Sequence, residues 1–175
     1  MAQPAVKYDS SEFVKFYKAL AQVDPDLKKA LRKRLMVMAK PVVSDVKQAA
    51  LSIPSSRETG GTRKKKGATL GLRASLAAAA KVDFNGTRPG AVLHIRISTT
   101  RFMAVSGRPR TLPYYMEKRR KRPWRHPVFG NSDVWVQQEG HAFLMPTVIQ
   151  HKPKFINEVK NAVDDALNQI SNKVN

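Results

Sequence analysis

Arg57, Arg63, Lys64, Lys65, Lys66 and Arg73 form one basic cluster along the chain, and Lys118, Arg119, Arg120, Lys121, Arg122 and Arg125 form a second. Cations at this density neutralise phosphates. Six such contacts give log K a salt slope of about −5 through counterion release. This binding would ignore base sequence, because no helix-turn-helix, zinc finger or aromatic RNA-binding sheet motif accompanies the charge. An acidic protein surface is the other partner that the same charge fits.

Catalytic chemistry has less to stand on. His94, His126, His141 and His151 form no H-x-x-x-H or H-E-x-x-H pair, and the closest neighbours are ten and fifteen residues apart across expected turns. Between Asp83 and Glu158 the acids are Glu117, Asp133 and Glu139, too few nearby for paired-acid or two-metal hydrolysis. Ser106-Gly107 lacks the G-x-S-x-G context. "GGTRKKKGAT" lacks both the G-K-[ST] ending and the preceding strand of a phosphate loop. The expectation is no catalytic residue, no metal and no cofactor.

The whole-chain totals agree with a contact role. In 175 residues, 32 Lys and Arg stand against 13 Asp and Glu, a net charge of +19 on a chain that is 42% hydrophobic. The composition is foldable, and the length predicts a single domain. The absence of cysteine removes disulfides, thiolate nucleophiles and Cys-type zinc sites. No window approaches the roughly 20 apolar residues of a membrane span, and the N-terminus has no signal-peptide core. A cytoplasm-like compartment, or a particle assembled there, is expected.

The elements that would position these residues are legible from periodicity. Phe13, Phe16, Leu20, Val23, Leu27, Leu31, Leu35, Met38, Val42, Val46, Ala49 and Ile53 recur at threes and fours, the spacing of a helical face. Asp24-Pro25-Asp26 reads as an N-cap, a first-turn proline and a dipole-matched acid. A helix over about residues 10–22 therefore hands over to a longer one from Pro25 to about Leu51. Pro41 predicts a kink near Val37 or Met38.

Residues 55–71 and 117–125 read as mobile basic loops. "LRASLAAAAKV" predicts a brief Ala-rich helix, followed by turns at Asn85-Gly86 and Pro89-Gly90. Leu93, Ile95 and Ile97 alternate with His94, Arg96 and Ser98 as a half-buried strand; "RFMAVSG" is a plausible partner strand and "DVWVQQ" a third. After Pro146, Phe155, Val159, Ala162, Val163, Ala166, Leu167, Ile170 and Val174 predict a closing amphipathic helix. The fold class is α+β: a long kinked N-terminal helix, a small mostly antiparallel β-sheet and a C-terminal amphipathic helix.

Residues 124–146, "WRHPVFGNSDVWVQQEGHAFLMP", carry an aromatic followed by Arg-His-Pro-Val-Phe-Gly-Asn, then Trp-Val, Gln, an aromatic and Pro. This resembles the C-terminal signature of the head-tail connector proteins of long-tailed bacteriophages, the neck or tail-completion family. "AKPVVSDVKQAALSIP", "GLRASLAAAAKV" and "FINEVKNAVDDALNQI" are similar to that family in order and spacing, so the resemblance covers most of the chain. Trp124, His126, Pro127, Phe129, Gly130 and Trp135 are its structural signature. Pro123 and Pro127 restrict the backbone on both sides of Trp124–His126, leaving Val128 and Phe129 to pin a corner that Gly130-Asn131 turns.

The resemblance implies a structural virion protein of the neck, assembled in the bacterial cytoplasm, that joins the DNA-filled head to the tail. It implies a homo-oligomeric ring, a hexamer or alternatively a dodecamer, around genomic double-stranded DNA. Its neighbours would be a portal, adaptor or head-closure protein and a tail tube or tail terminator. The basic loops would face DNA or acidic protein surfaces. A tail terminator or minor tail protein, and a freestanding non-sequence-specific nucleic-acid-binding protein, are the alternatives.

Overall fold

The structure, a computed structural model, describes residues 11–54, 69–85, 92–118, 123–128 and 131–174. It is an α+β fold of six helices and two separate two-stranded sheets among the described residues. The order is α1 (Ser11–Val23), α2 (Pro25–Leu51), α3 (Leu72–Ala79), β1 (Ala80–Asn85), β2 (Val92–Ile97), α4 (Thr99–Ser106), α5 (Leu112–Lys118), β3 (Trp124–Val128), β4 (Asn131–Gln138) and α6 (Leu144–Val174). No described helix is long and apolar enough to cross a membrane.

The chain groups into two compact units, each built from separated segments. Helices α2 and α6, 27 and 31 residues long, run about 40 and 46 Å at 1.5 Å per residue.

One unit contains Ala5–Asp45, Lys81–Arg96 and Val148–Asn175. Its core joins Val14, Tyr17 and Leu20 of α1, Leu27, Leu31 and Leu35 of α2, and Val159, Ala162 and Ala166 of α6. Asp24 separates α1 from α2: its Oδ1 accepts the N–H groups of Asp26 and Leu27 at 3.1 and 2.9 Å, satisfying donors that the first turn leaves open. On α1 the expected Leu20 is buried, but Val14 and Tyr17 complete the stripe, while Phe13 and Phe16 are partly buried and Val23 is 65% exposed. Pro41 lies within α2 without interrupting it. It and Val37 are exposed, so the Val37 carbonyl that loses its helical donor is on the side where water can replace it.

The aromatic side of this core is edged with cations. Tyr17 meets Phe84 edge to face at 5.2 Å, Lys28 Nζ lies 4.9 Å from the Tyr17 ring centre, and Arg32 lies 5.6 Å from that of Phe84. Burial pushes the Tyr17 hydroxyl above its ordinary range, against the opposing pull of Arg32.

The other unit contains Val46–Ala80 and Ile97–Thr147. Here α3 packs on α4, with Leu76 and Phe102 wholly buried. "RFMAVSG" is helix α4, not a strand. Ser98 Oγ accepts the Arg101 N–H at 3.4 Å, and Gly107 closes the other end at φ 62°, donating to the Met103 carbonyl at 2.9 Å. A cap at each end outweighs the strand preference of Phe102 and Val105. The Ala-rich helix stops at Ala79, short of the expected Val82, because the alternating Val82-Asp83-Phe84 belongs to β1. Helix α5 is a further element that periodicity did not reveal.

Of the expected basic loops 55–71 and 117–125, the second falls partly in regular structure. Glu117 and Lys118 are helical, and Trp124 and Arg125 lie in β3. Thr69 and Leu70 both donate their N–H to the Val105 carbonyl, at 3.1 and 3.0 Å, which ties the chain to the end of α4. Residues 55–68 and 119–122, and the expected turn residues Gly86, Pro89 and Gly90, lie outside the described residues.

Candidate assembly and nucleic-acid interface

The signature stretch folds as a hairpin. Strand β3 pairs antiparallel with β4, Trp124 opposite Gln138, Arg125 opposite Gln137, His126 opposite Val136 and Pro127 opposite Trp135. The register shifts between Pro127 and Val128. A proline has no N–H to donate to a ladder, so it belongs at an edge or irregularity.

Directly opposed residues share a face, and alternate residues along a strand return to it. Arg125 and Gln137 are such a pair, and Trp135 and Asp133 follow on β4. All four side chains are exposed, Trp135 at 48%. Trp135 is thus a half-exposed aromatic residue on the face that also carries Arg125, Asp133 and Gln137, with Pro127 directly opposite it in the ladder.

The base of this excursion is fastened by Glu117. Its Oε1 accepts the N–H of Phe143 at 2.8 Å and of Leu144 at 2.7 Å, and its Oε2 accepts that of Met145 at 3.2 Å. Residues 141–143, His-Ala-Phe, place no Ser, Thr, Asp or Asn ahead of α6, so the helix has no local cap. Pro146 has no N–H, and the three donors before it all end on one carboxylate. An anion at the positive end of a helix is also favoured by the macrodipole. This residue was absent from the expected site. Its signal was a lone acid beside a basic run, followed by a helix start without a capping residue.

Of the expected basic residues, Arg73, Lys118 and Arg125 are described. Lys118 ends α5, exposed, donating to the Tyr114 hydroxyl at 2.7 Å with its ammonium 5.2 Å from that ring centre. Arg125 is exposed on β3. Arg73 sits in the first turn of α3, half-buried, and its Nε is enclosed without a hydrogen-bond partner among the described residues. It is a helix residue and not part of a loop. Arg57, Arg63, Lys64, Lys65, Lys66, Arg119, Arg120, Lys121 and Arg122 lie outside the described residues, as do Phe129 and Gly130. Trp124, His126 and Pro127 are placed by backbone alone.

His94 is half-buried on β2, and His151 Nε2 lies 2.7 Å from Asp45 Oδ2. Among the described residues no group of three or more His, Asp or Glu side chains is arranged to hold a metal ion. Asp83 is instead engaged by cations, with Arg96 on its Oδ2 and Lys81 Nζ 3.2 Å from its Oδ1. Burial pushes its carboxyl up, but the hydrogen bonds and charges of Arg96 and Lys81 together outweigh this and hold it below the ordinary carboxylate range. Arg108 is lowered by burial.

Comparison with protein-family models, with curated proteins and with solved structures finds no match to this chain.

Proposed function

We propose that the chain is a structural virion protein of the phage neck, one subunit of a hexameric ring that joins the head to the tail around the DNA channel. The observation that carries this reading is Trp135: a half-exposed Trp on the hairpin face that also carries Arg125, Asp133 and Gln137, within the stretch that bears the connector signature. Large aromatics with low rotamer entropy anchor protein interfaces. A tab on one subunit that enters a different surface of the next is a heterologous contact, the kind that closes a ring.

The clamp at Glu117 supports the same role, because a docking tab must keep its geometry before its partner arrives. In this reading the charge serves contact and not reaction. The ring's neighbours are a portal, adaptor or head-closure protein on one side and a tail tube or terminator on the other.

Native mass measurement of the purified chain, alone and with head and tail components, tests the proposal. A ring, or a monomer that becomes one on its partner, is expected, and Trp135→Ser shifts the distribution towards monomer. A wild-type chain that remains monomeric in both settings overturns it.

A further inference from the structure

Helix α2 begins with Pro25-Asp26-Leu27 and then places Lys28, Lys29, Arg32, Lys33 and Arg34 within seven residues, with Lys40 further along. At 100° per residue, Lys29, Lys33 and Lys40 fall within about 40° of one another. All three are exposed. They form a ridge that rises about 16 Å along the axis.

This cluster runs against helix electrostatics. Cations near a helix N-terminus oppose the macrodipole, and five cations within two turns repel one another. The nearby acids are engaged: Asp26 pairs with Lys29, Asp165 with Arg34, and Asp45 with His151. Among the described residues Lys33 and Lys40 make no ion pair. A concentration of charge that costs local stability and is only partly paired within the fold is a mark of function.

We propose that this face of α2, Lys29, Lys33 and Lys40 flanked by Arg32, is a contact surface for the phosphate backbone of duplex DNA. The flanking cation is pre-positioned, since Arg32 lies against the Phe84 ring. Duplex DNA carries one charge per about 1.7 Å of axis, so a row of this length meets several phosphates. A membrane surface fits less well: the apolar face of this helix, Leu27, Leu31 and Leu35, is buried in the core and has nothing to insert. A protein partner also fits less well, because interface cores are poor in Lys. The inference is independent of the neck assignment and would hold for a freestanding chain.

The test is the salt dependence of binding by the full chain to a mixed-sequence DNA duplex of about three turns, for wild type and for Lys29→Gln/Lys33→Gln/Lys40→Gln. Three lost phosphate contacts flatten the slope of log K against log salt by about 2.7, so raising salt fourfold costs the variant about 40-fold less affinity than it costs wild type. Lys33→Gln alone flattens it by about 0.9. All three positions are exposed and their removal relieves like-charge repulsion, so the variants melt no lower than wild type. Equal slopes overturn the proposal and leave DNA binding to the other basic stretches. Absence of duplex binding by wild type overturns it as well. So does loss of binding to phosphatidylserine-containing vesicles with DNA binding unchanged.

Discussion

Glu117 Oε1 accepts the backbone N–H of Leu144 at 2.7 Å, joining residues 27 apart in sequence. Hairpin β3–β4 lies between them. One carboxylate therefore caps α6 and closes the base of the excursion that carries Arg125 and Trp135. Folding of α6 and placement of the hairpin are coupled through it.

Removing that carboxylate tests the coupling. Glu117 is 9% exposed, so Glu117→Ala leaves three donors with little access to water. A destabilisation of about 3 kcal/mol is expected, since one hydrogen bond to a charged group is worth about 1.5–3 kcal/mol. Urea unfolding measures it. Hydrogen exchange at Leu144 and Met145 should accelerate more than at Val159; a uniform acceleration would show that Glu117 supports stability without holding this end of α6.

The register of α1 gives a second prediction. Leu20 is 2% exposed and Val23 65%, although both fit the same three-and-four spacing. Leu20→Ala should cost about 3 kcal/mol through lost burial and a cavity, while Val23→Ala should stay within about 0.5 kcal/mol. Similar losses at both positions, in thermal or denaturant melts, would contradict this packing.

These two residues also show what periodicity can carry. Spacing locates α1 and α2, and Asp24-Pro25-Asp26 locates their junction, because capping is decided within a few residues. It does not say where the stripe ends, since Val23 is the last residue of its helix and the core no longer lies beneath it. Strand β4 is similarly local. Helix α4 was misread because Phe102 and Val105 favour strands, while the deciding groups were the flanking Ser98 and Gly107. Glu117 could not be assigned from spacing at all: its partners are backbone N–H groups of a distant element, which every residue type but proline offers. Trp135 came from the signature resemblance, while the strand that carries it was legible in "DVWVQQ". The ridge on α2 escapes a search for contiguous basic runs, because Lys29, Lys33 and Lys40 are four and seven residues apart and meet only on the helix surface.

Asp83 carries a pH dependence with a definite sign. Its folded-state pKa is lowered from the ordinary 3.8, so the folded state binds fewer protons than the unfolded state around that value. The stabilisation is present above about pH 4 and is lost as pH falls through the folded-state pKa. In urea midpoints from pH 6 down to pH 2, wild type should lose more stability than Asp83→Asn, and the two curves should converge at the acid end. Added salt should narrow their separation at pH 6, because Arg96 and Lys81 are partly exposed. Parallel curves would remove Asp83 from the acid response.

The caps of α4 provide the last test, and it separates a helix from the strand that composition suggests. Gly107 stands at φ 62° and ψ 15° with its N–H on the Met103 carbonyl, a conformation that costs a residue with a Cβ about 1 kcal/mol or more. Gly107→Ala should therefore destabilise by about 1 kcal/mol, and Ser98→Ala, which removes the acceptor for the Arg101 N–H, by a similar amount. Because the two residues cap opposite ends of one helix packed on α3, their joint effect reports whether that helix folds as a unit. Additive losses in the double variant would mean that the ends are held independently by α3. A combined loss smaller than the sum would mean that losing one cap already frays the turn the other holds. Were 99–106 a strand, alanine at 98 would cost little, and alanine at 107, with a side chain to pack, would be neutral or better.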